Sequence, residues 1–258
     1  MSRSETTVYL FAGDSLTEGA CGESYVDRVR RGLSARLDAQ ECVTLNAGRG
    51  GDTVRSLLAR IEDPLRDAHP GCVVLAIGTN DVWFRWLGEH SVGWWLWLRV
   101  DVLRTGQIPT RNLDRFGALY RELIDRSRAV SDAQIVACTI GPIGETLSSP
   151  LNRQAARLNG VIQQVALERH VPVADIWQAF VEHLSVASRP SAHLPRSWWS
   201  SAWDQRCLRR MSPDELARRR RLQLTYDGIH LNSRGADLWA ATLLRVLPRG
   251  GPTIRKGT

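Results

Sequence analysis

Residues 8–19 carry the sequence VYLFAGDSLTEG, which has the pattern of a buried strand followed at once by a tight turn. The run 8–12 is short and apolar, and Gly13, Asp14 and Ser15 end it. A run of this kind without polar alternation is typical of a strand that is buried on both faces. This stretch therefore predicts the first strand of a covered sheet, with a polar loop at its carboxyl end.

Four further apolar runs repeat this pattern, and stretches with helical periodicity separate them. The other predicted strands span residues 42–46, 72–77, 134–140 and 171–174. The predicted helices span residues 24–37, 53–61, 113–128 and 152–169, and Ser233 is expected to cap a closing helix that runs to about Val246. Alternating strands and helices indicate right-handed βαβ units, and so an α/β fold whose parallel sheet has helices on both faces.

Two tryptophan-rich segments interrupt the alternation, and we expect them to be insertions in a single domain spanning residues 1–258. The first covers about residues 82–111 and the second about residues 186–224. In the second, Ser212, Pro213 and Glu215 predict a capping box that begins a helix through the arginine run 218–221. The tryptophans fit a packed cap or subunit contact as well as they fit a lid whose Trp83 and Trp86 bind substrate.

The composition of the 258 residues, 43% hydrophobic and 24% charged, is that of an ordinary globular domain. The net charge of +7 raises nucleic acid as a partner, but the arginines are scattered along predicted helices, so we expect no nucleic-acid binding. Five widely spaced cysteines without a C-x-x-C pair favour free thiols in a reducing compartment. With no signal-peptide pattern and no run of transmembrane length, we expect a cytoplasmic location and no stable membrane insertion. Interfacial contact and a homo-oligomer stay open.

A serine nucleophile with its base is the chemistry that the polar positions favour. Ser15 lies at the carboxyl end of the first predicted strand, where ligands of parallel sheets bind. A serine hydroxyl needs a base to take its proton, and the base needs a carboxylate to orient it. Asp227 and His230 form the compact pair for this role, because a spacing of three across a turn brings the carboxylate to one ring nitrogen. We expect this pair to reach Ser15. The alternative role for Ser15 is that of a helix cap in the loop after the first strand.

Hydrogen-bond donors for an oxyanion follow the first three predicted strands. The backbone N–H groups of Ser15 and Gly51 and the side-chain amide of Asn80 are the predicted donors. Asp81, next to Asn80, is expected to be structural. Residues 48–51 could instead cradle a phosphate, but they lack both glycine-rich phosphate-binding motifs.

The motifs together resemble the GDSL or SGNH hydrolase family. That family has four blocks, which here match in order as Gly13-Asp14-Ser15-Leu16, Gly51 in GGDT, Gly78-Thr79-Asn80-Asp81 and Asp227-Gly228-Ile229-His230-Leu231. The resemblance implies a three-layer α/β/α flavodoxin-like fold with strand order 2-1-3-4-5. It also implies a nucleophile at Ser15, an oxyanion hole completed by Gly51 and Asn80, a base at His230 and its orienting Asp227. It does not extend to the two tryptophan-rich insertions.

The predicted function is hydrolysis of carboxylic esters through an acyl-enzyme on Ser15, with no metal or cofactor. Small or lipid-like acyl esters with an apolar or aromatic part are the first expected substrates, and O-acetylated sugars are the second; acyl transfer to an alcohol needs the same residues. A non-catalytic ligand-binding module with a vestigial site is the main alternative, and a nucleotide- or flavin-binding protein is a further one. The rival bases have no aspartate at a comparable spacing; they are His69, His90, His170, His183 and His193.

Overall fold

The computed structural model describes residues 7–36, 42–90, 100, 104–185, 191, 193–194, 206–208 and 210–248. Its centre is a five-stranded sheet with strand order 2-1-3-4-5, and every neighbouring pair is parallel. This order confirms the predicted fold class. The strands are β1 (Thr7–Gly13), β2 (Cys42–Gly48), β3 (Cys72–Ala76), β4 (Gln134–Cys138) and β5 (Val173–Ala174).

Helices cover both faces of this sheet. One face carries α3 (Val54–Arg60), α4 (Glu62–Ala68), α5 (Thr79–His90), α6 (Leu113–Val130) and α7 (Pro150–Glu168). The other face carries α2 (Tyr25–Arg36), α8 (Ile176–Ser185) and α10 (Ser233–Val246). The short helices α1 (Ser15–Glu18) and α9 (Pro213–Arg220) belong to loops.

Alternation of side chains along the buried strands divides the core into two layers. In β1, Leu10 and Ala12 pack towards α3–α7, whereas Tyr9 and Phe11 pack towards α2, α8 and α10. All four are at most 2% exposed. Because both faces are buried, the strands read as continuous apolar runs, which is why the sequence pattern located them.

Helix ends differ in detail from the prediction. The cap of α10 is Asn232, which accepts a hydrogen bond from the N–H of Gly235 at 2.9 Å, so the prediction of Ser233 as the cap is wrong by one residue. Ser212 caps α9 and accepts from the N–H of Glu215, as predicted. The Glu215 carboxylate binds Arg219.

Part of each predicted insertion lies outside the described residues. This applies to Trp94, Trp95 and Trp97 and to Trp198, Trp199 and Trp203. The first part of the first insertion is helical, because α5 continues to His90. Across the described ranges, no helix is both long and apolar enough to cross a membrane.

Candidate active site

The turn after β1 presents Ser15 at the start of α1. Asp14 caps this helix: its Oδ1 accepts the N–H of Leu16 at 3.0 Å. The cap function that Ser15 could have had therefore belongs to Asp14, and the Ser15 hydroxyl is left for other contacts. Gly13 precedes this turn, and a Cβ there would lie 2.3 Å from the carbonyl oxygen of Ala76, so only glycine fits.

Asp227 and His230 lie on a tight hairpin just before α10. The N–H of Tyr226 donates to the carbonyl of His230 at 3.0 Å, and Thr225 bridges to Leu231 in antiparallel fashion. Gly228 occupies the left-handed region with φ of 95°, which a side chain at that position would disfavour. The hairpin turns both functional side chains towards the first strand.

The hairpin and the first loop meet, although 215 residues separate them in the chain. The Ser15 Oγ lies 3.1 Å from His230 Nε2, and His230 Nδ1 lies 2.7 Å from Asp227 Oδ2. The other carboxylate oxygen, Asp227 Oδ1, accepts the N–H groups of Ile229 at 2.8 Å and His230 at 2.7 Å. The three side chains therefore form a continuous chain of hydrogen bonds.

The electrostatics of Asp227 set the protonation of this chain. Burial raises the pKa of Asp227, but the positive charge of His230 and the hydrogen bonds from its ring and backbone outweigh burial, so the net pKa is lower than usual. An ionised carboxylate can only accept hydrogen bonds, so His230 Nδ1 carries a proton towards it. In neutral His230, Nε2 is then the acceptor and faces the Ser15 hydroxyl, which is the geometry of a general base.

The three loops that carry the predicted oxyanion donors lie side by side, because β1 lies between β2 and β3. The N–H of Arg49 donates to the carbonyl of Gly13 at 3.0 Å, which joins the first two loops. The amide of Asn80 donates to the carbonyl of Asp52 at 2.9 Å, which joins the second and third. Among the described residues, the N–H groups of Ser15 and Gly51 and the second N–H of Asn80 have no acceptor.

Asp81 and Asp52 are buried carboxylates that hold these loops. Asp81 accepts the N–H of Val54 at 2.9 Å and the N–H of Thr110 at 3.0 Å. Burial nevertheless raises the pKa of Asp81 to about 6. Asp52 binds Arg60 at 2.6 Å. Both side chains contact the loop framework, which fits the structural role expected for Asp81.

Glu145 is a functional candidate that sequence reasoning missed. It lies in the loop after β4, is 3% exposed, and accepts the N–H groups of Gln223, Leu224 and Thr225 at 2.7, 2.8 and 3.0 Å. The hydroxyl of Thr225 donates to the same carboxylate at 3.0 Å. These residues lead directly into the hairpin of Asp227, so Glu145 holds the chain in place where that hairpin begins. No motif marks Glu145; its role depends on contacts about 80 residues apart in sequence.

The two tryptophans predicted to bind substrate differ in their surroundings. Trp83 is 7% exposed and packs in the core, whereas Trp86 lines a cavity of about 530 Å³ between α5 and the loop after β4. Trp86 stacks on Trp83 with ring centroids 5.4 Å apart and on His90 at 4.5 Å. These two stacking contacts already cover part of the ring surface of Trp86.

The cavity adjoins the hairpin of the candidate base. Gly144 lines the cavity, and its N–H donates to the carbonyl of Gly228. Leu194 is another lining residue, and it lies close to Gly228: a Cβ added to Gly228 would be 3.0 Å from the Cδ1 of Leu194. Polar side chains share the lining with apolar ones, and they include Thr146, Gln154, Ser191 and His193.

Three of the other histidines have contacts or positions away from the hydrogen-bonded chain of Ser15, His230 and Asp227. His69 and His170 occupy left-handed positions at helix ends, and the Nδ1–H of His90 donates to the carbonyl of Trp86 at 2.8 Å. Within the described ranges, no group of three or more His, Cys, Asp or Glu side chains could hold a metal ion.

Comparison with known proteins adds to this geometry. The family model of the GDSL-like lipase/acylhydrolase family matches residues 11–238. The chain belongs to this family. As a member it is an enzyme that hydrolyses ester bonds, and the alternatives of a binding module and of a nucleotide-binding protein are not retained. A curated relative, an acetylxylan esterase from Geobacillus stearothermophilus, is 27% identical over 187 residues, which are 68% of this chain and 78% of the relative.

Solved structures of other hydrolases share the fold. The crystal structure of the acetylxylan esterase from Geobacillus stearothermophilus superposes with a TM-score of 0.62 and 23% identity, covering 99% of this chain and 100% of that chain. An alpha/beta hydrolase from the metagenome of Lake Arreo, Spain, gives a TM-score of 0.62 and 20% identity, covering 93% and 94%. These similarities extend the shared fold across nearly the whole length.

Proposed function

We propose that this esterase works through an acyl-enzyme on Ser15, with His230 as general base and Asp227 as its orienting carboxylate. The observation that carries the proposal is the unbroken chain of hydrogen bonds from the Ser15 hydroxyl through the imidazole to the buried carboxylate, at 3.1 and 2.7 Å. Removal of the Ser15 proton by Nε2 makes Oγ nucleophilic, and the adjacent ionised Asp227 stabilises the imidazolium that forms.

The rest of the cycle follows from the neighbouring donors. Attack of Oγ on the ester carbon creates an oxyanion, which the N–H groups of Ser15 and Gly51 and the amide of Asn80 would bind. His230 then returns the proton to the departing alcohol, and the acyl group stays on Ser15. Water, activated by the same imidazole, would release the acid and restore the hydroxyl.

The relatives support the assignment of these roles. Solved structures of the acetylxylan esterase include catalytic mutants in which a serine, an aspartate or a histidine is replaced by alanine. Its aspartate and histidine are three positions apart, as are Asp227 and His230. We therefore assign the same three roles to the residues of this chain.

We further propose that the natural substrate is an O-acetylated carbohydrate. Similarity to an acetylxylan esterase supports this class over the lipid-like esters that the sequence analysis puts first. The cavity supports it, because Thr146, Gln154 and Ser191 line it beside the hairpin. The hydroxyl groups of Thr146 and Ser191 donate to backbone carbonyls, so their oxygens can accept from sugar hydroxyls, and the NH₂ group of Gln154 can donate to them. Apolar lining residues, Leu87, Ile143 and Leu194 among them, make an apolar acyl chain the second candidate.

Active-site labelling tests the nucleophile. A fluorophosphonate probe should label the wild type and fail to label Ser15→Ala, because the hydroxyl is the group that reacts. Ser185→Ala is the matched control, since Ser185 is exposed and hydrogen-bonds only within α8. Labelling that persists in Ser15→Ala would exclude Ser15 as the nucleophile.

A substrate series tests the carbohydrate. We expect acetate release from acetylated xylose to exceed hydrolysis of nitrophenyl esters with long acyl chains. Gln154→Ala should raise KM for the sugar ester only, whereas Gln164→Ala, on an exposed part of the same helix, should have no effect. A preference that rises with acyl length would favour the lipid-like alternative, and interception of the acyl group by added alcohols would indicate acyl transfer.

A further inference from the structure

The last part of the first tryptophan-rich insertion packs against the loop of the predicted oxyanion hole. The carbonyl of Thr105 accepts from Arg49 at 3.4 Å, and the carbonyl of Ile108 accepts from the Thr53 hydroxyl at 3.2 Å. The N–H of Thr110 binds Asp81. Residues 104–110 are thereby attached to the loops after both β2 and β3.

Gln107 is the residue of this segment that reaches the loop backbone. It is 8% exposed, and its Nε2 donates to the carbonyl of Gly50 at 2.7 Å. On the other side, the N–H of Gly50 donates to the carboxylate of Glu18 at 3.1 Å. The two backbone polar groups of Gly50 are therefore both held by side chains from other parts of the chain.

The carbonyl that Gln107 binds belongs to the same peptide unit as the N–H of Gly51. A trans peptide is planar, so its C=O and N–H point in opposite directions and turn together. Holding the oxygen of Gly50 therefore fixes the direction of the N–H of Gly51. A hydrogen bond accepted at the carbonyl also polarises the unit, which strengthens its N–H as a donor.

Packing at Gly51 reinforces this arrangement. Gly51 has φ of 81°, and a Cβ there would lie 2.6 Å from Gln107 Oε1. The Gln107 amide thus occupies the space beside the glycine, and the peptide has little room to rotate. The N–H of Gly51 has no acceptor in the part of the chain that the structure describes, so it is available to a ligand.

We propose that Gln107 is a positioning residue for the oxyanion hole, which holds and polarises the Gly50–Gly51 peptide. The inference rests on the proposed function, because it takes Gly51 as an oxyanion donor. It gives the first insertion a role in catalysis, because the last part of that insertion, residues 104–110, places the Gln107 amide against the loop that carries Gly51. No motif of the sequence indicates this residue.

Gln107→Met tests the proposal, because methionine keeps the length of the side chain and removes the donor. We expect kcat for nitrophenyl acetate to fall at least about 10-fold, but by less than the roughly 10²–10³-fold that loss of a whole oxyanion donor costs, with KM within about twofold. Binding of an aryl trifluoromethyl ketone, whose serine adduct carries an oxyanion, should weaken by a similar factor. The pH midpoint of kcat/KM should not move, because the contacts of His230 are unchanged.

Gln164→Met is the matched control, as Gln164 is exposed on α7. Gln107→Asn, whose shorter side chain does not reach Gly50, provides a second variant should Gln107→Met fail to fold, and the same loss is expected. Folded variants that keep wild-type kcat and ketone affinity would overturn the proposal. A rise of about 10-fold in KM with unchanged kcat would overturn it as well. If Ser15→Ala abolishes labelling while these variants remain fully active, only the role of Gln107 is refuted; labelling that persists in Ser15→Ala refutes the proposed function itself.

Discussion

Replacing Glu145 by glutamine should weaken the fold at the point where the candidate base is held. An amide oxygen in the place of Oε1 can still accept from Leu224 and Thr225, but the NH₂ group would then face the N–H of Gln223, which now donates to Oε2 at 2.7 Å. One hydrogen bond to a charged group is lost, worth about 1.5–3 kcal/mol, and a partly buried N–H is left without an acceptor at about 1–3 kcal/mol.

The two contributions overlap, so we expect the free energy of unfolding to fall by about 2–4 kcal/mol. For a chain of this size the melting temperature should fall by roughly 4–16 °C, at about 2–4 °C per kcal/mol. We also expect a lower kcat, because residues 223–225 lead into the hairpin that positions Asp227 and His230.

Calorimetry or circular dichroism measures the melting temperature, and hydrolysis of nitrophenyl acetate well below that temperature measures kcat. Glu182→Gln is the matched control: it makes the same change of charge at an exposed position of α8, and we expect a change within about 0.5 kcal/mol. A Glu145→Gln variant that melts within a degree of the wild type would refute the reasoning, since the carboxylate contacts would then contribute nothing.

Three further changes test other parts of the site. Asp227→Asn should lower kcat about 10⁴-fold, because the imidazole loses its orienting carboxylate, and a loss below tenfold in the nitrophenyl acetate assay would contradict the assigned role. Burial raises the pKa of Asp14 to about 7, above its usual 3.8, so its proton stabilises the fold at low pH and that contribution is lost as the pH rises through this window. Asp14→Asn should remove this loss, so denaturation curves should show the variant gaining stability relative to the wild type between about pH 4 and 8. A stability difference that stays constant over this pH range would exclude the contribution of Asp14. Gly228→Ala should destabilise the fold by about 1–3 kcal/mol in chemical denaturation, because φ is 95° and a Cβ would lie 2.8 Å from the carbonyl of His193. Gly160→Ala is its control: it lies on α7 with nothing within 4 Å and should stabilise by about 0.5–1 kcal/mol, so an equal effect of the two changes would contradict the argument from backbone strain.

The fold depends on patterns that are local in the chain. The apolar runs of β1 and β3 are buried on both faces, so their composition alone marks them as strands, and alternation with helices implies parallel pairing. The prediction is less accurate for the start of β5: the apolar run begins at Val171, whereas the strand begins at Val173. Strand ends are set by neighbours in space, which a run of letters does not show.

The candidate site divides in the same way between local and distant determinants. The sequence alone, through four short motifs and their order, predicted Ser15, Gly51, Asn80, Asp227 and His230, because each motif carries its own turn chemistry and follows or precedes a recognisable element. It also predicted the order of the strands, through the resemblance that these motifs carry.

Tertiary structure alone decided which side chains support those residues. Glu145 and Gln107 belong to no motif, and each acts on backbone groups about 80 and 57 residues away in the chain. Trp83 and Trp86 are tryptophans of the same tryptophan-rich segment, yet Trp83 packs in the core and Trp86 lines a cavity. Local sequence determines turns and strands because those depend on neighbouring residues. Burial and long-range hydrogen bonds depend on which elements the folded chain brings together, and that is settled only when the sheet and its helices pack.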